Sequence, residues 1–261
     1  MVSPEVVEQV RRELAAVEAA EDVRVLYAVE SGSRAWGFAS ADSDYDVRLV
    51  YVRRPGWYLS IDLEEKRDVI ERQCPGDIDL SGWDVRKALR LFARSNPPLV
   101  EWLDSPVVYR DEHAFADRLR RLLPAYHSDA AAMHHYVRMA RNNYRAYLRG
   151  ETVRLKKYFY VLRPVLAARW VEQGRGPVPM LYARLLDTLD GPPGLWAEID
   201  DLLARKIAGD ELAEGPRLPA IHAFVTAEMD RLEAVAAGLT KTRPDPEPLN
   251  ELFRQTLREV W

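Results

Sequence analysis

Two short β-branched runs flank the feature that most constrains this chain. Val23-Arg24-Val25-Leu26-Tyr27-Ala28-Val29 is followed closely by Gly32-Ser33, and a second run, Tyr45 to Val52, opens behind Asp44 and Asp46. The first run reads as a buried strand. The glycine after it leaves backbone N–H groups open to close approach by a phosphate. Side chains alternate along a strand, so Asp44 and Asp46 share one face. Either half alone has an ordinary explanation, a capping serine or a polar strand entry. Together, with Asp44 twelve positions after Gly32, they describe a phosphate cradle opposite two carboxylates. Divalent cations that bridge to a nucleotide's phosphates need that arrangement.

A third acid lies further on. Arg67 to Gln73 and Asp77 to Trp83 flank the turn signal Pro75-Gly76, which predicts a hairpin. Asp77 and Asp79 share a face there, and either can supply the third carboxylate. Asp79 is preferred because it lies deeper in the strand; the alternative for both is an exposed edge-strand carboxylate. In this reading Asp44, Asp46 and Asp79 are at once metal ligands and catalytic groups, with Asp79 able to accept the attacking hydroxyl's proton. Gly32 and Ser33 cradle the phosphates of an NTP. Arg34 and Lys87 are assigned to the same phosphates, each with a solvated helix cation as the alternative.

The rest of the chain falls into two parts. Ser3 and Pro4 start a helix to about Ala20, Asp84 caps Val85 to Arg94, Asn96 caps a helix beginning at Pro97, and Val107 to Tyr109 reads as a short strand. From Asp111 onward strand signals vanish. Apolar residues recur at helical spacing over 111–123, 129–149, 152–173, 179–190, 195–208, 217–239 and 247–260, with breakers such as Pro124 and Gly150 between them. These patterns predict an α+β chain: a catalytic domain over 1–110, built on a small mixed sheet, and an all-helical domain over 111–261. No apolar run reaches membrane-spanning length, and the N-terminus runs into a charged helix rather than a signal peptide, so a cytoplasmic protein is expected. The single cysteine, Cys74, excludes an internal disulfide, and no Cys/His spacing suits zinc.

Charge is unevenly spread. The net charge is −4, yet His134 to Trp170 holds nine Lys/Arg and one acid, Glu151. Arg138, Arg141, Arg145 and Arg149 form one stripe on a helix. The next helix is predicted to carry Lys156, Tyr160 and Arg163 on a common face, with Lys157 beside them. A charge stripe is usually a solvated face, but here the balancing acids are missing from the segment. Polyanions are the natural counter-charge: RNA for Arg138, Arg141, Arg145 and Lys157, an NTP triphosphate for Lys156 and Arg163.

The combination of Gly32-Ser33 after a strand with Asp44 and Asp46 on the next resembles the DNA polymerase β-like nucleotidyltransferase superfamily. Further blocks are similar to its RlaP-type branch, named for a link to RNA repair: Asp42-Ser43-Asp44-Tyr45-Asp46-Val47-Arg48, Asp84-Val85-Arg86-Lys87, Ser95-Asn96-Pro97-Pro98 and Val153-Arg154-Leu155-Lys156-Lys157-Tyr158. The resemblance implies a polymerase β-like core, use of NTP with two Mg²⁺ (or Mn²⁺) ions, an acidic residue at the Asp79 position, and an RNA end, of tRNA type, as acceptor. NMP transfer to a protein or a small molecule is the enzymatic alternative. A nucleotide-binding sensor without chemistry is the other.

Overall fold

The structure is a computed structural model, and it describes residues 2–209, 214–240 and 244–261. The chain divides into two compact units: one gathers the described residues within 1–35, 44–127 and 243–261, the other those within 36–43 and 128–242.

In the first unit, α1 (Pro4–Glu21) starts at Ser3, whose hydroxyl accepts the Val6 N–H. Then come β1 (Val23–Glu30), the single-turn α2 (Gly32–Trp36), β2 (Tyr45–Arg53), the short α3 (Pro55–Tyr58), β3 (Val69–Cys74) and β4 (Ile78–Asp84). The helices α4 (Val85–Phe92) and α5 (Pro97–Leu103) follow, then β5 (Val108–Asp111) and α6 (Phe115–Tyr126). The five strands form one sheet in the order β3-β4-β2-β1-β5, in which β2 and β4 run parallel and every other pair is antiparallel. The expected hairpin is therefore present as β3–β4. Period-2 alternation sorts the faces. Val47, Leu49 and Tyr51 of β2 and Ile78 and Leu80 of β4 pack with Val10, Leu14 and Val17 of α1. Each such fully buried aliphatic contributes roughly 1.5–3 kcal/mol. Asp46, Arg48 and Asp79 occupy the alternate positions, which point to the opposite face.

The second unit comprises α7 (Asp129–Tyr147), β6 (Thr152–Arg154), α8 (Phe159–Glu172), α9 (Tyr182–Leu186), α10 (Pro193–Ile207), β7 (Glu214–Pro216) and α11 (Pro219–Ala237). Its centre is α8, packed by α7, α9 and α11. Phe38, from the segment 36–43, belongs to this core and stacks on Phe159 at 4.7 Å between centroids. The chain ends with α12 (Glu247–Val260), which returns to the first unit and packs on α4.

Four features differ from the sequence-based expectation. The change to helical periodicity at residue 111 does not coincide with the division into compact units, because α6 and α12 both join the sheet-bearing unit. The later part is not wholly helical: β6 pairs with β7, strands of three residues being too short to carry a readable period. Residues 152–158, expected in a helix, form β6 and a 3₁₀ turn, and α6 runs through Pro124 to Tyr126. Among the described residues no helix is long and apolar enough to cross a membrane.

Asp84 caps α4 as expected, its carboxylate accepting the Arg86 N–H at 2.8 Å and the Tyr58 hydroxyl at 2.7 Å. Only 1% of it is exposed, and burial pushes its pKa up to about 6. An acid whose folded pKa is raised keeps its proton longer when folded, so stability falls as pH rises from about 4 to 6. Urea unfolding across that range should show a loss of roughly 2–3 kcal/mol in the native protein that is missing in Asp84→Asn; parallel pH profiles for the two would refute the assignment.

Candidate active site

The site is assembled by strand register. In the parallel β2–β4 ladder Asp46 is paired with Asp79 and Arg48 with Ser81. The antiparallel β3–β4 ladder then sets Gln73 beside Asp79 and Glu71 beside Ser81. Asp46, Asp79 and Gln73 thus form one row across three strands, and Arg48, Ser81 and Glu71 the next. A cavity of about 420 Å³ is lined by Arg48, Glu71, Arg72, Gln73, Asp79 and Ser81. Asp77 sits instead in the preceding turn, with φ of 57° and its carbonyl accepting the Tyr45 N–H at 2.9 Å.

Asp46 is fixed from several directions. Its carbonyl accepts the Ser31 N–H at 2.8 Å, and its own N–H donates to Glu30 Oε1 at 2.8 Å. Its carboxylate lies directly against Gly32. A Cβ on that residue would overlap Asp46 Oδ2 and come within 2.8 Å of Cγ, and Gly32 also has φ of +58°. The glycine is therefore required twice, for its left-handed backbone and for the space that Asp46 fills. Asp44 lies exposed at the entry of β2, with its carbonyl accepting Arg34 Nε at 3.1 Å while the Arg34 guanidinium stacks 3.9 Å from the Tyr45 ring centroid.

Electrostatics explain the remaining contacts. Burial raises the pKa of Asp46; Arg48 pulls it back, while Asp79 and Asp44 push it further up. Both neighbouring carboxylates thus repel that of Asp46, which favours a positive charge beside it. Arg48 meets part of that demand, with Nη2 2.8 Å from Asp46 Oδ1 and Nη1 2.9 Å from Asp79 Oδ2. Gln73 Nε2 donates to Asp79 Oδ1 at 2.7 Å. Among the described residues no three Asp, Glu, His or Cys side chains are gathered closely enough to hold a metal. The donor set is nonetheless all carboxylate oxygen, which suits a hard cation such as Mg²⁺.

Glu30 was not anticipated. It is fully buried, accepts the Asp46 N–H and the Tyr109 hydroxyl through its two oxygens, and its carbonyl takes Ser105 Oγ at 2.6 Å. Burial raises its pKa, against the hydrogen bonds from Tyr109 and Asp46. Nothing in the local sequence marks this acid at the end of an apolar strand as a support for the next strand. Arg48, by contrast, was legible in principle, since it shares the period-2 face of Asp46.

The other assigned cations are distributed differently. Lys87, on α4, is paired with Asp68 at 2.7 Å. In the second unit, Lys156 is exposed and acts electrostatically on Asp42. Arg163 is buried rather than on an outward face; its Nη2 faces the carbonyls of Pro179 and Met180, with the guanidinium 4.8 Å from the Trp36 ring. Arg141 is bridged to Asp230 at 2.7 Å and to Glu233, both on α11. The stripe expected to lack acids therefore draws two from a helix distant in sequence. Arg138 and Arg145 are exposed. Lys157 lies 4.4 Å from the ring centroids of both Tyr147 and Tyr160, two exposed tyrosines. Burial, with Lys156 and Arg154 nearby, lowers its pKa.

Residues 6–255 match the model of the RlaP family, described as an RNA repair pathway DNA polymerase beta family. The chain belongs to this family. It is 46% identical over 250 residues, 95% of each chain, to the uncharacterized protein YcgL of Bacillus subtilis (strain 168). It also matches the crystal structure of a nucleotidyltransferase-like protein from Exiguobacterium sibiricum at 12% identity and a TM-score of 0.32, over 96% of this chain and 80% of that one. In this RlaP family member the paired acids stand on neighbouring strands of a mixed sheet, beside the Gly32-Ser33 turn.

Gly32→Ala tests the packing of Asp46 on Gly32. The strained φ and the overlap should destabilise the protein by about 1–3 kcal/mol, seen as a lowered midpoint in thermal unfolding. An unchanged midpoint would mean that the turn and Asp46 are not packed as described.

Proposed function

We propose that this chain is a cytoplasmic, template-independent nucleotidyltransferase that moves an NMP from an NTP to the 3′ hydroxyl of an RNA. One observation carries the reaction class: Asp46, packed against the Gly32 turn, lies in register beside Asp79. This supports a shared site for the carboxylates and the triphosphate. In this reading the backbone N–H groups and hydroxyl at Gly32-Ser33 hold the triphosphate, with Arg34 steadying the backbone of Asp44. Asp44, Asp46 and Asp79 would hold two Mg²⁺ ions, or Mn²⁺ in their place, and these would neutralise the phosphates and lower the pKa of the attacking hydroxyl. Glu30 holds the Asp46 backbone, and Gln73 orients Asp79 so that its carboxylate can take the hydroxyl proton. The cavity over Gln73 and Ser81 supplies room for the acceptor.

RNA as acceptor rests on the family's link to RNA repair and on the cations of the second unit. Of these, Arg138, Arg145, Lys156 and Lys157 are preferred to Arg141, which two acids neutralise. The exposed Tyr147 and Tyr160 beside Lys157 offer rings on which unpaired bases can stack.

Incubation with α-labelled NTPs, Mg²⁺, total RNA and lysate protein is expected to label RNA, and the double variant Asp44→Ala, Asp46→Ala to lose at least about a thousandfold in rate. Replacing Lys156 and Lys157 by Glu should weaken RNA binding by about tenfold at low salt. Label on protein or on small molecules alone would replace RNA by those acceptors. Binding of NTP with no transfer to any pool would leave a sensor.

A further inference from the structure

Three of the four carboxylate oxygens of Asp46 and Asp79 accept a hydrogen bond. Asp46 Oδ1 and Asp79 Oδ2 are taken by the two ends of one guanidinium, that of Arg48. Asp46 Oδ2 faces Gly32, and Asp79 Oδ1 accepts the Gln73 amide. Arg48 is held further by the carbonyls of Val47 at 3.2 Å and Asp79 at 3.1 Å, and its side chain is 20% exposed. An arginine does not lose its proton at any ordinary pH. A divalent cation binding between these two acids must therefore move the guanidinium bodily. Room for that movement exists, because Arg48 also lines the 420 Å³ cavity with Gln73, Ser81 and Glu71. The register sets Ser81 directly beside it on β4.

We propose that Arg48 is an internal stand-in for the metal: it bridges Asp46 and Asp79 until a divalent cation displaces it along the sheet into the cavity. This rests on the nucleotidyl-transfer reading insofar as that reading brings a divalent cation to Asp46 and Asp79. Two things follow. With no metal bound, the acids keep their spacing against mutual repulsion, so the site does not have to be built by the ion. Metal affinity is also lowered by competition, since each binding event must break two charge-assisted hydrogen bonds. Once displaced, the planar fork faces the cavity, where it can pair with a phosphate of the incoming acceptor.

Mn²⁺ binding measured by electron paramagnetic resonance tests this without any turnover. Arg48→Met keeps most of the aliphatic stem and removes the competing charge, so it should bind Mn²⁺ about tenfold more tightly or better than the native protein. A purely structural arginine would give the opposite sign, because a loosened site binds metal less well. Equal or weaker binding by folded Arg48→Met, with Asp46→Asn abolishing the signal, overturns the proposal and leaves the transfer reading intact. No binding by either protein, or binding that survives Asp46→Asn, overturns both. If circular dichroism shows Arg48→Met to be unfolded, Arg48→Gln decides the matter. Its neutral amide keeps polar contacts but carries no charge to compete with the ion, so its affinity should exceed the native value, and no gain overturns the proposal.

Discussion

The parallel pairing of β2 with β4 is the constraint on which the candidate site depends. A hairpin alone would leave Asp79 on an edge, as one more solvated carboxylate. Inserting β4 between β3 and β2 makes Asp79 the direct neighbour of Asp46. Because the side-chain period is two, a slip of one residue would turn either acid to the α1 face and bury it among Val47, Leu49 and Leu80. Hydrophobic packing thus fixes the placement of these side chains: the aliphatic positions that must face α1 leave the alternate positions to Asp46, Arg48, Asp79 and Ser81.

The second determinant is a buried acid, Glu30, at the end of β1. A carboxylate with no solvent exposure is costly unless its oxygens are satisfied. Both oxygens of Glu30 accept, one from the Tyr109 hydroxyl on β5 and one from the Asp46 N–H on β2. The end of β1 thereby ties its two neighbours together at the level of the Gly32 turn. Repulsion of Asp46 by Asp79 and Asp44 is the opposing tendency, and Arg48 offsets it.

Much of this was legible from the chain, for identifiable reasons. Gly32 and Asp46 are marked by strong local signals, a turn after a buried strand and an acid opening the next. Asp79 was favoured over Asp77 by its depth in a strand; in the structure Asp79 is paired with Asp46, and Asp77 sits in the turn. The parallel β2–β4 contact was not legible, because pairing partners are set by the whole sheet. Glu30 was missed for the same reason: its role lies in strands β2 and β5. The basic stripe misled at Arg141 because its counter-acids, Asp230 and Glu233, lie about ninety residues away on α11. Arg163 misled because the expected outward helix face belongs to α8, which is buried nearly all round.

In the proposed site Asp46 and Asp79 share a cation beside a phosphate held at Gly32-Ser33. Crystals grown with Mn²⁺ and a non-hydrolysable NTP analogue would test it most directly through an anomalous-difference map. A manganese peak within about 2.0–2.4 Å of oxygens from both carboxylates, with the triphosphate over Gly32-Ser33, is the predicted result. A nucleotide bound elsewhere, or no peak at the two aspartates with Arg48 still bridging them, would contradict it.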